Sequence, residues 1–224
     1  MFRRSNDGPF YRNPEVVSVI FLSVYTLNML VNVAWVLLSN HDLIEVALAA
    51  MVCLSLTLGI CLVDFHIRMN RHVKKLATEH KIDLFLFRFL LENGVAMYAT
   101  WCIIAMLLNL TIVLIYSLQI TQTIACTTVL SILAVVLLIY VALDLYFFER
   151  YLRYTFSTYV TIMWALVGSL AVNWDMKKPH SIMSMIVLVL TSLALGIKAI
   201  STIINSQRKP LYTVEKSVTG SERT

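Results

Sequence analysis

Six long apolar stretches alternate with short polar gaps along the chain, and this pattern constrains the fold more than any other feature of the sequence. Each stretch reaches or approaches the roughly 20 residues that an α-helix needs to cross a hydrocarbon core of about 30 Å. A backbone in lipid must satisfy its own hydrogen bonds, so continuous helices are expected. The sequence therefore predicts an all-α integral membrane protein, a bundle of six transmembrane helices. The predicted spans are 16–38, 43–63, 93–118, 122–143, 155–173 and 181–203.

The composition points to the same class of protein. Apolar residues make up 59% of the chain and charged residues 14%, whereas soluble domains have about 45–50% and about 25%. A soluble chain of 224 residues could not bury that much apolar surface. The cysteines lie in or beside apolar stretches, where a thiol behaves as a small hydrophobe, so we expect neither a disulfide nor a metal site. They are Cys53, Cys61, Cys102 and Cys126.

The positive charges orient the predicted bundle. Of the 18 lysines and arginines, only Lys177 and Lys178 lie in the first, third or fifth gap between spans. Lys198 is grouped with the tail, because a long side chain near a helix end can snorkel to the interface. Cytoplasmic loops carry an excess of Lys and Arg, so both termini should be cytoplasmic, and the first span should remain as an uncleaved anchor. The domain plan is a cytoplasmic segment 1–15, a transmembrane domain 16–203 containing a cytoplasmic basic loop 64–92, and a polar tail 204–224.

The basic loop has two interpretations. Four cations in it, Arg68, Arg71, Lys74 and Lys75, would suit anionic lipid, since each Lys or Arg near a membrane surface contributes about 1 kcal/mol. Alternatively, the loop only sets the topology and extends a helix along the membrane surface. The sequence leaves both interpretations open, and the second is favoured.

Charged residues near the span ends are expected at the inner boundary of the membrane. An apolar run that begins at Leu84 joins the third span, which predicts a surface helix bending into the membrane near Gly94. Arg88 and Glu92 would then lie one turn apart and could pair. Asp144 should lie at the same boundary, where its candidate partners are Arg88, Arg150 and Arg153.

Uncharged polar side chains lie deeper in the predicted spans. In the first span Tyr25, Asn28, Asn32 and Trp35 recur at spacings of three and four, which places them on one face of a helix. In the third span Tyr98, Trp101 and Asn109 share a face. Amides are costly to expose to lipid, so these faces should point into the bundle, where they bond another helix or line a cavity.

Three segments carry a family resemblance. Asn32-Val-Ala-Trp35, the stretch from Tyr98 to Asn109, and Ile162-Met-Trp164-Ala-Leu-Val-Gly168 resemble the larger, six-helix relatives of the translocator protein, or tryptophan-rich sensory protein, family, in the same order. The resemblance implies a helical membrane protein, and members of the core family bind sterols, porphyrins and related flat hydrophobic molecules inside the bundle. It assigns candidate ligand-binding roles to Asn32, Trp35, Tyr98, Trp101, Asn109 and Trp164.

The predicted function is binding or movement of a small hydrophobic ligand, sterol-like or porphyrin-like, in an integral multi-pass membrane protein with the lipid bilayer as its environment. No nucleophile, base and orienting acid fall together, so we expect no enzymatic activity, cofactor or nucleic-acid partner. The first alternative is a transporter or channel for a small polar solute. A further alternative is a retinal-binding protein that uses Lys198, which lies within the last span.

Overall fold

The computed structural model describes residues 16–79 and 81–208, together with two short antiparallel strands, β1 (Arg4–Ser5) and β2 (Gly8–Pro9). The rest of the predicted segment 1–15 and the tail beyond residue 208 lie outside the described residues. The described helices are α1 (Val19–Asn40), α2 (Ile44–Glu79), α3 (Lys81–Leu86), a first π-helical segment (Phe87–Glu92), α4 (Asn93–Tyr116), α5 (Gln122–Ala142), a second π-helical segment (Leu143–Phe147), α6 (Glu149–Leu152), α7 (Ser157–Asn173) and α8 (Pro179–Arg208).

Five of the described helical stretches are long and apolar enough to cross a membrane. They are Val19–Asn40, Ile44–Thr78, Lys81–Tyr116, Gln122–Phe147 and Pro179–Arg208. The stretch predicted as the fifth span is α7, which is apolar but has only 17 residues. The prediction of a helical, multi-pass membrane protein is therefore confirmed.

Helix α4 lies at the centre of the bundle and belongs to both hydrophobic cores. On one side it packs against α2, which in turn carries α1. On the other side it packs against α5 and α7, and both of these contact α8. Many of the remaining apolar side chains are exposed on the outside of the bundle, as expected of helices whose outer faces contact lipid.

The segment predicted as a basic loop is largely helical. Helix α2 has 36 residues, which corresponds to about 54 Å at 1.5 Å per residue, so it continues well beyond the length of one crossing. The following helix runs from Lys81 through the first π-helical segment into α4 as one apolar stretch. A widened, π-helical turn (Phe87–Glu92) lies directly before α4, next to the position near Gly94 where a bend was expected.

Candidate functional site

The residues predicted from the family resemblance divide into two groups. Asn32 and Tyr98 meet between α1 and α4, where the Asn32 Nδ2 donates to the Tyr98 hydroxyl at 2.7 Å. Trp35 packs beside them against the first core. Asn109 donates to the Ala105 carbonyl of its own helix at 2.9 Å. These amides therefore act as hydrogen-bonding groups within and between helices.

The two remaining predicted residues face outward. Trp101 is 50% exposed and Trp164 is 75% exposed, so both indoles lie on the outer surface of the bundle. Trp rings are amphipathic and are favoured where a helix contacts lipid near its interface. The structure does not bring all six predicted side chains into one site, because the matching segments of α1, α4 and α7 present their tryptophans on different faces.

An apolar cavity of about 130 Å³ lies between α2, α4, α5 and α7. Nine of its twelve lining residues are aliphatic, Ala99, Ile103 and Leu137 among them. The cavity has three hydroxyl groups in its lining, on Thr100, Tyr140 and Thr158. None of the six residues predicted to bind a ligand lines it.

Two hydroxyls of the cavity wall contact each other. The Tyr140 hydroxyl donates to the Thr158 Oγ1 across a distance of 3.3 Å, which joins α5 to α7. The third hydroxyl, on Thr100, donates to the Ala96 carbonyl of its own helix at 2.8 Å. The Tyr140 and Thr158 pair is consequently the polar feature of this cavity.

A buried ion pair contains Asp144, which follows the cavity residue Tyr140 by four residues. Lys198 of α8 is 1% exposed and Asp144 of the second π-helical segment is fully buried. The Lys198 ammonium donates to the Asp144 carboxylate and to the Leu152 carbonyl, the latter at 3.0 Å. The Tyr159 hydroxyl donates to the other carboxylate oxygen at 2.7 Å. The expectation that Lys198 snorkels to the interface is wrong, because its ammonium is held inside the bundle by this carboxylate.

A second buried carboxylate belongs to Glu92, the last residue of the first π-helical segment. Glu92 is 3% exposed and accepts a hydrogen bond of 2.5 Å from the Thr155 hydroxyl. His66 of α2 faces the same carboxylate, with its Nε2 3.5 Å from Oε1. Its Nδ1 lies 2.7 Å from the Leu62 carbonyl and must carry a proton, because a carbonyl only accepts. Glu92 therefore connects the first π-helical segment with α2 and with the segment before α7.

Each π-helical segment carries one of the two buried acids, Glu92 in the first and Asp144 in the second. Single π-helical turns inside α-helices occur frequently at functional sites. Sequence reasoning placed both acids at a membrane boundary where charge is cheap. The missed signal was that Asp144 and Lys198 lie at matching depth on different spans. A buried pair requires two opposite charges in this arrangement.

The arginines near this site have other partners than those expected from the sequence. The Arg88 guanidinium lies over the Tyr154 ring, 3.9 Å from its centroid. Within the described residues, Glu92 faces His66 and forms no ion pair with Arg88. Arg153 donates to both carboxylate oxygens of Glu149, at 2.6 and 3.0 Å. Burial raises the pKa of Glu149, but the hydrogen bonds and positive charge of Arg153 outweigh it and lower that pKa overall.

Asn93, which sequence reasoning did not single out, connects α4 to the start of α7. Its Oδ1 accepts the backbone N–H groups of Phe156 and Ser157, at 2.9 and 3.1 Å. Its Nδ2 donates to the carbonyls of Arg88 and Tyr154, at 2.8 and 2.9 Å. The first N–H groups of a helix have no partner within the helix, so one side chain caps α7 from a different helix.

The cations proposed for anionic lipid lie along the extended end of α2. Arg68 is paired with Asp64 at 3.1 Å, one turn earlier on the same helix. Arg71 and Lys74 are exposed, and Lys75 has a partner of its own. No group of three or more metal-ligating side chains occurs within the described residues. The four cysteines are free thiols.

Comparison with known proteins identifies the relationship of the chain. The family model for TSPO-like proteins matches residues 12–200, a range that includes every described helix except the end of α8. No curated protein and no solved structure matches the chain. Because the family match covers most of the 224 residues and confirms the resemblance carried by the segments of α1, α4 and α7, the chain belongs to the TSPO-like protein family.

Proposed function

We propose that this protein binds a small hydrophobic ligand in the apolar cavity between α2, α4, α5 and α7. The observation that carries the proposal is the cavity itself, whose lining is aliphatic except for three hydroxyls. Ligand sites are concave, mostly apolar and supplied with a few polar groups that orient the ligand. Val136, which lines the cavity, is 40% exposed, so a ligand dissolved in the bilayer has a route of entry between the helices.

The size of the cavity indicates which part of a ligand it accepts. Its volume of about 130 Å³ is below the roughly 300 Å³ at which sites for drug-sized molecules begin, and it is close to that of an engineered cavity of about 150 Å³ that holds benzene. One ring or one branched alkyl end fits. A sterol satisfies this limit by inserting one end, whereas a flat porphyrin would require the helices to separate. The proposal therefore favours sterols over porphyrins.

Filling the cavity should abolish ligand binding. In Ile103→Trp the larger ring occupies the cavity, so cholesterol should no longer raise the unfolding temperature of the purified protein. For the unsubstituted protein, ligand at about a hundred times its Kd should add about 2.7 kcal/mol to the free energy of unfolding. The measurement is thermal unfolding in detergent with cholesterol and, separately, protoporphyrin IX.

The matched control is Leu108→Trp, which makes a comparable increase in size on the same helix. Leu108 is 60% exposed and lies on the outward side of that helix. It should retain the stabilisation by cholesterol, as should Trp164→Ala. Stabilisation that survives in Ile103→Trp, or that is lost equally in Leu108→Trp, would show that the ligand does not occupy this cavity. Equal stabilisation by protoporphyrin IX would contradict the size argument.

We further propose six crossings with both termini in the cytoplasm. Helix α7 has 17 residues and would extend over about 26 Å, slightly less than the hydrocarbon core, which a locally thinned bilayer can accommodate. The excess of Lys and Arg in alternate gaps supports this orientation. The basic end of α2 and α6 would then face the cytoplasm, and the turn containing Lys177 would face the opposite side.

Cysteine labelling tests this topology. The four native cysteines are first replaced by alanine. Three variants then each carry one new cysteine, Lys74→Cys, Arg150→Cys or Lys177→Cys, and each reports the side of the membrane at its position. In bacterial spheroplasts, a membrane-impermeant maleimide should label Lys177→Cys before lysis, and Lys74→Cys and Arg150→Cys only after lysis. Labelling of Arg150 and Lys177 from the same side would show that α7 does not cross the membrane.

A transporter for a small polar solute is the second candidate, and the buried Asp144, Lys198 and Glu92 favour it. Ionisable residues inside a membrane bundle are costly and commonly mark solute or proton pathways. If reconstituted vesicles take up a polar solute and the Asp144→Asn substitution abolishes this uptake, the result would support a transporter over simple ligand binding. The retinal alternative has no comparable support, because the Lys198 ammonium already contacts the Asp144 carboxylate and the Leu152 carbonyl.

A further inference from the structure

The hydroxyl pair of Tyr140 and Thr158 is the polar point of an otherwise apolar cavity. Their oxygens are 3.3 Å apart. This distance is longer than the value of about 2.7–2.8 Å that O–H···O hydrogen bonds prefer. The Thr100 hydroxyl is already used on the Ala96 carbonyl. An acceptor atom that enters the cavity would therefore meet its hydrogen-bond donor at this pair.

The two hydroxyls together have one proton more than their mutual hydrogen bond uses. Each hydroxyl carries a single donated proton, and their contact consumes one of the two, whichever way it runs. Within residues 16–79 and 81–208, no further hydrogen bond to either oxygen is formed. One O–H donor is thus left without an acceptor in the part-buried wall of an apolar space, and a donor shielded from water without a partner is unfavourable.

A water molecule is a poor occupant of this cavity. Buried waters typically make two to four hydrogen bonds, and cavities with apolar walls stay dry. Here the walls offer the one hydroxyl pair, and the rest of the lining is aliphatic apart from Thr100. An apolar molecule with a single acceptor atom would satisfy the free donor and fill the remaining space at the same time.

We infer that the cavity takes a ligand whose apolar body ends in one uncharged acceptor oxygen, a ketone, ether or alcohol oxygen, which receives the free hydroxyl proton of the Tyr140 and Thr158 pair. This inference rests on the proposed function, since it specifies the ligand of the same cavity. A carboxylate is excluded because burying an unpaired charge in an apolar site is very costly. A pure hydrocarbon fits the space but leaves the donor unpaired.

Two probes of similar size separate the acceptor from the apolar body. Cyclohexanone carries the acceptor oxygen and methylcyclohexane does not. Ligand-observed NMR on the protein in nanodiscs, corrected with empty nanodiscs for partition into lipid, gives the two affinities. The unsubstituted protein should bind cyclohexanone about tenfold more tightly, which corresponds to about 1.4 kcal/mol.

The double variant Tyr140→Phe/Thr158→Val removes both hydroxyls while keeping the shapes. It should lose the preference for cyclohexanone and keep its affinity for methylcyclohexane, which also shows that the cavity is intact. The control Thr161→Val removes a hydroxyl that donates to the Ser157 carbonyl on the same helix and does not line the cavity. It should keep the preference for cyclohexanone.

The outcomes distinguish this inference from the proposed function. If both probes bind equally to the unsubstituted protein and Ile103→Trp excludes them, the cavity binds ligands but the inference is overturned. A preference for cyclohexanone that persists in the double variant also overturns it. If neither probe binds and cholesterol gives no stabilisation, the proposed function fails as well.

Discussion

Replacing Lys198 with methionine is expected to lower the free energy of unfolding by about 3–5 kcal/mol, the usual cost of removing one partner of a buried ion pair. The substitution leaves the Asp144 carboxylate fully buried with the Tyr159 hydroxyl as its donor. Methionine has a similar length and is apolar, so the effect isolates the charge from packing. Reversible unfolding in mixed micelles, followed by circular dichroism, measures it.

Two further variants make the interpretation specific. The triple variant Asp144→Leu/Tyr159→Phe/Lys198→Met removes every polar side chain of the cluster, and it should be more stable than Lys198→Met alone, because no buried charge remains unpaired. Lys177→Met changes a lysine in the exposed turn before α8 and should shift the stability by no more than about 0.5 kcal/mol. A triple variant as unstable as the single one would contradict a buried pair.

Replacing Asn93 with alanine is the second change with a large expected effect, about 3 kcal/mol. Four hydrogen bonds are lost, and in two of them the Asn93 Oδ1 accepts the N–H groups at the start of α7. A typical hydrogen bond contributes about 0.5–1.5 kcal/mol, and a buried group left without a partner costs more. The same unfolding measurement applies.

Asn93→Asp tests the two halves of this contact separately. Its carboxylate can still accept the N–H groups at a helix N-terminus, where negative charge is favourable, but it cannot donate to the carbonyls of Arg88 and Tyr154. An intermediate loss of stability is expected. The matched control is Asn173→Ala, because Asn173 is exposed and its side-chain Nδ2 donates to the Ser169 carbonyl of its own helix. If Asn93→Ala were no more destabilising than this control, the capping role would be refuted.

The positions of the apolar helices were predictable because they depend on local composition. The predicted spans at 122–143 and 155–173 agree with α5 and α7 within a few residues. Helix α2 continues past its hydrophobic length through its basic end, which agrees with the favoured interpretation of that segment as an extension of a helix. Hydrophobic length reports where lipid ends, whereas a helix ends where its backbone loses hydrogen-bond partners, and charged residues such as Arg71 and Lys74 are good helix formers.

The site was less predictable than the fold. Asn32 and Tyr98 were recognised as inward-facing groups and do form a hydrogen bond between helices. Periodicity places residues on a common helix face, but it does not say toward which neighbour that face turns. Trp101 and Trp164 are exposed for this reason, and the cavity is lined by ordinary aliphatic residues that carry no sequence signal.

By itself, the sequence determined that this protein is a helical membrane protein, since hydrophobic length and the distribution of positive charge are properties of each segment and its flanks. Only the tertiary structure decided which polar groups are buried together. Whether Lys198 reaches the interface or pairs with Asp144, and whether Asn93 caps α7, depends on contacts between residues far apart in the chain. Such contacts follow from how the helices pack around α4, and no single segment encodes that packing.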